Sequence, residues 1–236
     1  MRVLCVLAAL VCGLHAPAAL AQWNPHFTAA LGRSYGQLAL SQSTLSGTRQ
    51  IQGNANAPPP ANSDPLTFTP DPELTGEIRS GVIDILSQQS PELRAQMERT
   101  FAGDAVLRDF ERYLHAHGGY PANNVADSQA ALLIVSWEIM TSSTASDAQV
   151  RGAHDQVRTI FQNTPTLRQM TNAGRQEMAE RNAYQVMISV AARDQYLRKP
   201  EPTRLTELRA SAATVMREQG IDLSQLKLTN QGFKKS

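Results

Sequence analysis

Apolar residues recur every three or four positions through most of the chain after residue 70, which is the spacing of one face of an α-helix. The pattern is densest between Asn123 and Thr141, where only a narrow strip carrying Asp127 and Glu138 stays polar. A helix that is apolar on nearly every side must be covered by other helices. The sequence therefore predicts a bundle arranged around a central, buried helix at 123–141.

Helix start and stop signals divide the rest of the chain. Capping residues followed by proline, acidic residues or apolar periodicity predict helix starts at Pro72, Pro91, Asp104, Asn123 and Ser146. A long helix is predicted from Thr166 to Leu197, with Gly174 as the place for a bend or break. A last helix ends at Gly220, because glycine readily adopts the left-handed conformation that closes a helix.

The two ends of the chain differ from this helical pattern. Residues 22–69 are rich in Ser, Gln, Asn, Gly and Pro, and this low-complexity composition predicts a disordered arm or linker. At the other end, alternation through Leu226, Leu228 and Phe233 predicts a short extended segment that these three residues anchor along the bundle. The expected architecture is one all-α domain of six to eight helices at 70–236.

The first 21 residues have the pattern of a secretory signal peptide. A basic start at Arg2 precedes an apolar run, and Ala19-Leu20-Ala21 forms a small-residue cleavage site before Gln22. The apolar run is too short to anchor the chain in a bilayer. We therefore expect a periplasmic or secreted protein without a transmembrane anchor, cleaved after Ala21.

Composition after that cleavage narrows the chemistry. Both cysteines, Cys5 and Cys12, lie within residues 1–21, so disulfides, thiolate metal sites and thiol catalysis are not expected in the mature chain. Without Arg2, the 22 basic residues become 21 and equal the 21 acidic ones. This balance argues against nucleic acid as a partner, which calls for clustered Lys and Arg.

The two acids of the central helix are too far apart to act as a pair. Asp127 and Glu138 project in nearly the same direction but are separated by roughly 16 Å along the helix axis. Paired carboxylates in glycoside hydrolysis lie about 5 to 9.5 Å apart. We interpret Asp127 as a cap-region acid and Glu138 as a partly solvated one. Ser136 is expected to allow close helix packing and to bond the carbonyl four residues earlier.

A metal site at the end of the third predicted helix is not favoured. His115 and His117 point about 200° apart on a helix, so they cannot chelate one ion together. Two further ligands, for example His154, Asp104 or Asp155, would have to come from elsewhere. Imidazoles that complement the negative end of the helix dipole are the simpler interpretation.

A serine nucleophile is also disfavoured. Gly32-Arg33-Ser34-Tyr35-Gly36 matches the G-x-S-x-G pattern of a nucleophile elbow. That elbow works only as a strained turn between a buried strand and a helix. No apolar strand precedes Gly32, so we do not expect a hydrolase based on Ser34.

Two sets of charged residues are predicted to face solvent. The first is the run from Arg175 to Arg181, in which Glu177 and Arg181 would form a surface ion pair. The second is the polar face of the helix after Ser146, made of Arg151, His154, Asp155 and Arg158.

Three motifs of the chain resemble a family of exported bacterial helical domains of unknown function. They are the Asn-Asn-x-Ala-Asp-Ser run that leads to Trp137-Glu138, the Gly220-Ile221-Asp222 turn, and the closing Leu-x-Leu-Thr-x-x-Gly-Phe. The resemblance covers roughly residues 70–236. It implies no activity, cofactor or site residue.

The pattern assigns no catalytic, cofactor-binding or metal-binding residue, so a non-enzymatic interaction module that binds a protein or cell-envelope component is the preferred hypothesis. The alternative is an envelope hydrolase of the peptidoglycan type, with one helical glutamate such as Glu138 or Glu177 as proton donor. A third possibility, a small-molecule carrier, requires an apolar cavity. Met170, Met178 and Met187 are interpreted as core filler rather than as a ligand site.

Overall fold

Helices make up most of the chain that the computed structural model describes, which is residues 64–87 and 91–236. In order they are α1 Pro72–Ser87, α2 Pro91–Thr100, α3 Ala105–Ala116, α4 Val125–Thr141, α5 Asp147–Asn163, α6 Pro165–Arg168, α7 Asn172–Arg198 and α8 Pro202–Glu218. A 3₁₀ turn at Leu223–Gln225 leads into the strands β1 Leu226–Thr229 and β2 Gly232–Lys235. The all-α prediction with a short extended C-terminal segment is confirmed, whereas residues 1–21 and Ser34 lie outside the described residues.

Helix α4 is the centre of the bundle, as its pattern predicts. Every residue from Val125 to Ile139 is buried, and α5, α7 and α8 pack against it. The Asn124 side chain caps its first turn by accepting hydrogen bonds from the amides of Ala126 and Asp127. The strip predicted to stay polar is therefore covered too, and its two acids are buried.

The segment before α1 belongs to the packed structure, although its composition resembles that of the arm. Leu66 and Phe68 are buried. The Val125 amide donates to the Leu66 carbonyl at 3.0 Å, and the Phe68 amide donates to the Asn123 carbonyl at 3.0 Å. Two apolar residues among prolines and polar residues give no periodic signal, so the sequence pattern did not indicate that this segment would pack.

The predicted long helix is broken earlier than expected. Helix α6 ends at Arg168, and α7 begins at Asn172 with Thr171 as its N-cap. The Thr171 hydroxyl accepts a hydrogen bond from the Gly174 amide at 3.0 Å. Gly174 therefore lies in the first turn of a new helix, and the prediction that it marks the break was wrong by a few residues.

The C-terminal hairpin is antiparallel, with Leu228 opposite Phe233, and it packs on α5. Its turn approaches α5 at Gly152, where a Cβ would lie 2.7 Å from the Gly232 amide nitrogen. The side-chain amide of Gln156 donates to the Phe233 carbonyl at 2.8 Å and accepts from the Phe233 amide at 2.7 Å. Leu226, Leu228 and Phe233 contact the core, so the three predicted anchors are confirmed.

Candidate functional site

The charged run at the start of α7 is buried, which overturns its interpretation as a solvated face. Arg175, Glu177, Glu180 and Arg181 are each less than a tenth exposed. The predicted Glu177–Arg181 pair does form, at 3.2 Å, but inside the protein. Arg175 reaches back to the segment before α1 and donates to the Pro65 carbonyl at 3.0 Å. The partners that make this burial possible come from about a hundred residues away in the sequence.

Both glutamates proposed as proton donors are buried and paired with an arginine. Glu138 forms an ion pair with Arg193 at 2.7 Å and accepts a hydrogen bond from the Ala145 amide at 2.8 Å. Glu177 is paired with Arg181 in the interior. They are not the solvated acids that were expected, and each carries a compensating arginine, unlike a proton donor whose pKa is raised by apolar surroundings. Both carboxylates hold the fold together.

Asp127 and His154 form a second buried network, also against expectation. Asp127 is fully buried and accepts from His154 Nδ1 at 2.9 Å and from Arg158 Nε at 2.8 Å. The His154 ring, predicted to face outward, stacks on Tyr120 with 3.5 Å between ring centroids. Burial raises the pKa of Tyr120, and the nearby acids Asp155 and Asp127 add to the rise. The network ties α5 to the first turn of α4.

A groove of about 470 Å³ lies between α7, α3 and the segments that precede α1 and α4. Its floor is formed by Ala179, Glu180 and Ala183, which share one face of α7 because they are spaced three and four residues apart. The two alanines leave room above the helix. The walls come from the segment before α1, from α3 and from the loop before α4, and they include Phe68, Pro70, Pro72, Leu107, Phe110 and Pro121.

The wall contributed by the segment before α1 is held in place by Gln176. This side chain accepts from the Asp71 amide at 2.9 Å and donates to the Asp71 carbonyl at 2.9 Å. Asn172 makes a similar reciprocal pair with the backbone of Thr69, at 2.8 and 2.9 Å. One turn after another of α7 therefore fixes the extended segment, and the groove is preformed.

Glu180 is the acid at the floor of the groove, and only one of its oxygens is satisfied. Oε1 accepts hydrogen bonds from the Thr75 hydroxyl at 2.8 Å and from the Gln176 side chain at 2.9 Å. Oε2 is buried and has no hydrogen-bond partner in residues 64–87 or 91–236. Glu180 is 6% exposed and, unlike Glu138 and Glu177, has no arginine within ion-pair distance in the described part of the chain.

Burial raises the pKa of Glu180. The hydrogen bonds from Thr75 and Gln176 oppose the rise, Asp104 adds to it weakly, and Arg79 opposes it. A desolvated acid in an apolar cleft is an arrangement that recurs at functional sites, because a structural carboxylate normally has its charge compensated. The sequence pattern did not single out Glu180. It shares the charged run with Glu177, and no local signal separates the two.

The rim of the groove carries more negative than positive charge. Asp104 and Glu111 line it together with Arg108, and Glu180 adds a further carboxylate at the floor. Asp104 is 3.7 Å from Arg79, and its side chain is 60% exposed, so this ion pair is loose. The groove therefore combines apolar walls with a net acidic character.

The other sequence candidates have no role at this groove. No group of three or more His, Cys, Asp or Glu in the described ranges could hold a metal ion. His117 donates from Nδ1 to the Tyr113 carbonyl at 2.7 Å, and His115 is exposed. Ser136 is fully buried, consistent with close packing, but its hydroxyl makes no hydrogen bond within the described structure, contrary to the expected carbonyl bond.

The residues behind the family resemblance have structural roles. Asn124 caps α4, Asp127 binds Arg158, and Gly220 adopts a φ of 78° at the end of α8. In the last motif, the Thr229 hydroxyl donates to the Gly232 carbonyl at 2.8 Å and closes the hairpin turn. These motifs therefore identify the fold rather than a reaction.

Comparison with known proteins gives a family but no activity. No curated protein and no solved structure matches the chain. Among the helices of residues 64–87 and 91–236, none has the length and apolar character needed to cross a bilayer. One family model matches residues 1–235, and its description is a family of unknown function. The chain belongs to this family, DUF6683.

Proposed function

We propose that this protein is an exported binding module without catalytic activity, and that the groove above Glu180 is its binding site. The observation that carries the proposal is the state of the Glu180 carboxylate, which is desolvated in an apolar cleft with one oxygen left without a partner. A buried polar group without a partner costs about 1–3 kcal/mol of stability. A ligand that supplied a hydrogen bond would remove this cost.

The size and composition of the groove support the same proposal. Its volume of about 470 Å³ is in the range of small-molecule sites, and such sites combine apolar walls with a few polar groups that orient the ligand. Because Gln176 and Asn172 hold one wall in place, binding would cost little ordering entropy. A protein or cell-envelope component that presents a hydrogen-bond donor to Glu180 would bind in this groove.

A fragment screen followed by NMR tests whether the groove binds at all. Neutral, cationic and anionic fragments are titrated into the full chain, and amide shifts are mapped onto the structure. We expect hits of some class to shift Ala179, Ala183 and Ala122. Ile160 on α5, which is 50% exposed, provides a control apolar surface. If hits collected at Ile160 and none affected the groove, the proposal would be refuted.

Export is the second part of the proposal, and it is supported by the signal-peptide pattern of residues 1–21. Expression of the full chain in a bacterial host, followed by fractionation and mass spectrometry, tests it. We expect a product that begins at Gln22 outside the cytoplasm. An intact chain that retains residues 1–21 in the cytoplasm would contradict this part without affecting the groove.

A second candidate function is an envelope hydrolase that uses Glu180 as its single acid. The observation that favours it is the same desolvation, because a proton donor needs the raised pKa that burial gives Glu180. Incubation with purified peptidoglycan tests this function through the release of soluble fragments. Release by the full chain that is lost in Glu180→Gln would establish the hydrolase, and absence of release would leave the binding module as the function.

A further inference from the structure

The groove has a chemical preference that can be worked out from its charges. Glu180 lines the floor, is nine-tenths buried, and keeps Oε2 without a partner among the residues described. Thr75 and Gln176 already donate to Oε1, so Oε2 is the oxygen that can still accept a hydrogen bond. An ionised carboxylate only accepts hydrogen bonds, so the missing group of a ligand is a donor.

The surrounding charges specify which kind of donor. Asp104 and Glu111 at the rim bring the acidic groups of the groove to three, against Arg108 alone. Glu180 is desolvated, so it attracts a cation more strongly than it would in water. A negatively charged ligand would have to leave water and approach an acid that has no ion-pair partner among the described residues. The electrostatics therefore favour a positive donor over a neutral one and disfavour an anion.

The walls specify the rest of the ligand. Phe68, Phe110 and Leu107 border the groove, and three prolines add rigid apolar surface without amide donors. Aromatic side chains also tolerate a neighbouring cation better than aliphatic ones do. A compact, strongly hydrated ion would gain nothing from these walls, whereas an organic cation would bury its carbon skeleton against them.

We infer that the groove binds a protonated amine attached to an apolar body, with the ammonium group donating to Glu180. This inference rests on the proposed function and names its ligand class. The ammonium group would give a charge-assisted hydrogen bond, which is roughly twice as strong as a neutral one. Asp104 and Glu111 would attract the cation from solvent and would contribute less, because they are exposed.

Calorimetric titration of the full chain with three isosteric probes tests the inference. Benzylamine, benzyl alcohol and benzoate have nearly the same shape and differ in charge. We expect benzylamine to bind about tenfold more tightly than benzyl alcohol, which corresponds to the strength of a charge-assisted bond, and benzoate to bind most weakly. Equal binding of the amine and the alcohol, or a preference for benzoate, would overturn the inference. Binding of benzyl alcohol in the groove without any preference for the amine would leave the proposed function standing.

Variants locate the preference on one carboxylate. Glu180→Gln keeps the shape and removes the charge, so the preference for benzylamine should fall to about twofold or less. Glu111→Gln should weaken amine binding by less, and only at low salt. Glu207→Gln, on α8 and paired with Arg204, is the matched control and should leave all three affinities unchanged. An amine preference that survives in Glu180→Gln, in a variant with an intact thermal transition, would overturn the assignment.

A final pair of probes distinguishes a free amine from a lysine side chain of a protein. Nα-acetyl-lysine methylamide presents the side-chain ammonium, and its ε-acetylated form has the same skeleton without the charge. Binding of the first alone would identify a lysine-bearing partner as the source of the amine. Binding of benzylamine without either lysine probe would identify a small-molecule amine.

Discussion

Replacing two buried helical glutamates by glutamine should change stability in opposite directions. Glu138 is compensated by Arg193 and by the Ala145 amide, whereas Glu180 has one unsatisfied oxygen and no arginine partner among the residues that the structure describes. Glu138→Gln removes an ion pair and weakens a hydrogen bond, which we expect to cost about 2 kcal/mol. Glu180→Gln removes a desolvated charge, so we expect it to stabilise the fold.

The gain at Glu180 is limited by what glutamine leaves unsatisfied. The new carbonyl oxygen can still accept from Thr75 and Gln176, but the new amide nitrogen takes the place of Oε2, where the described structure offers no acceptor. An unpaired buried group costs about 1–3 kcal/mol, and more if it is charged, so removing the charge should recover about 1 kcal/mol. For a domain of this size, that gain raises Tm by roughly 2–4 °C.

The pH dependence of stability gives an independent test of whether Glu180→Gln stabilises or destabilises the fold. Burial raises the pKa of Glu180 in the folded state, so the folded protein binds this proton more tightly than the unfolded chain does. The stabilising contribution of protonation is therefore complete below the ordinary glutamate pKa of about 4.3 and is lost as pH rises through the raised folded value. The advantage of Glu180→Gln should appear at neutral pH and disappear in acid.

Urea unfolding of the wild type and both variants, near neutral pH and in acid, measures these differences. The reasoning predicts that Glu180→Gln is more stable than the wild type and Glu138→Gln less stable, both at neutral pH. If Glu180→Gln were destabilised by an amount like that of Glu138→Gln, Glu180 would be a structural residue. The main observation that supports a binding function for the groove would then be removed.

Three further changes test other parts of the structure. Asp127→Asn leaves the Arg158 guanidinium and the His154 imidazole without their buried carboxylate, so we expect the free energy of unfolding in urea to fall by about 3 kcal/mol. A fall of less than about 1 kcal/mol would show that the network is dispensable. Gly152→Ala places a Cβ 2.6 Å from the Asn230 carbonyl carbon, so we expect it to destabilise the hairpin by about 1–3 kcal/mol and to speed the exchange of the hairpin amides. Gly76→Ala, at a position without crowding, is the control and should have neither effect. Equal effects of the two substitutions would contradict the close approach. Benzylamine affinity should fall as pH is lowered through the raised pKa of Glu180. The other charged groups near the groove are Asp104, Glu111, Arg79 and Arg108. An affinity unchanged by acid would show that binding does not depend on the Glu180 carboxylate.

Local signals predicted the helices well, because caps act over a few residues. Asn124 and Ser146 cap α4 and α5 as their side chains suggest, and Ser146 with Gln149 forms a reciprocal capping box. The break before α7 was placed a few residues too late, because Thr171 caps without a proline or an acidic first turn to mark it. The central position of α4 followed from apolar residues on nearly every side.

The burial of charged residues could not be predicted from the same local pattern. A Glu–Arg pair four residues apart, such as Glu177 and Arg181, is typical of an exposed helix face. Here the polar groups of α7 find partners in the segment before α1 and in α1 itself, through contacts such as Gln176 with Asp71. His154 was misplaced for the same reason, since Asp127 and Tyr120 reach it from another part of the sequence.

The candidate site depends most on such distant contacts. Glu180 differs from Glu177 only in what the fold places beside it, which is an apolar wall instead of an arginine. The small residues Ala179 and Ala183 beneath the groove are a weak signal, because alanine is also the commonest helix filler. The sequence thus supported a binding module in general terms, while its site required the three-dimensional arrangement.

A crystal structure of the full chain with bound benzylamine tests the central claim most directly. We expect the amine in the groove, with its nitrogen about 2.7–2.9 Å from a Glu180 oxygen and its ring against Phe68 and Leu107. The contradictory result is an empty groove at saturating amine in which Glu180 Oε2 is bonded by a protein group.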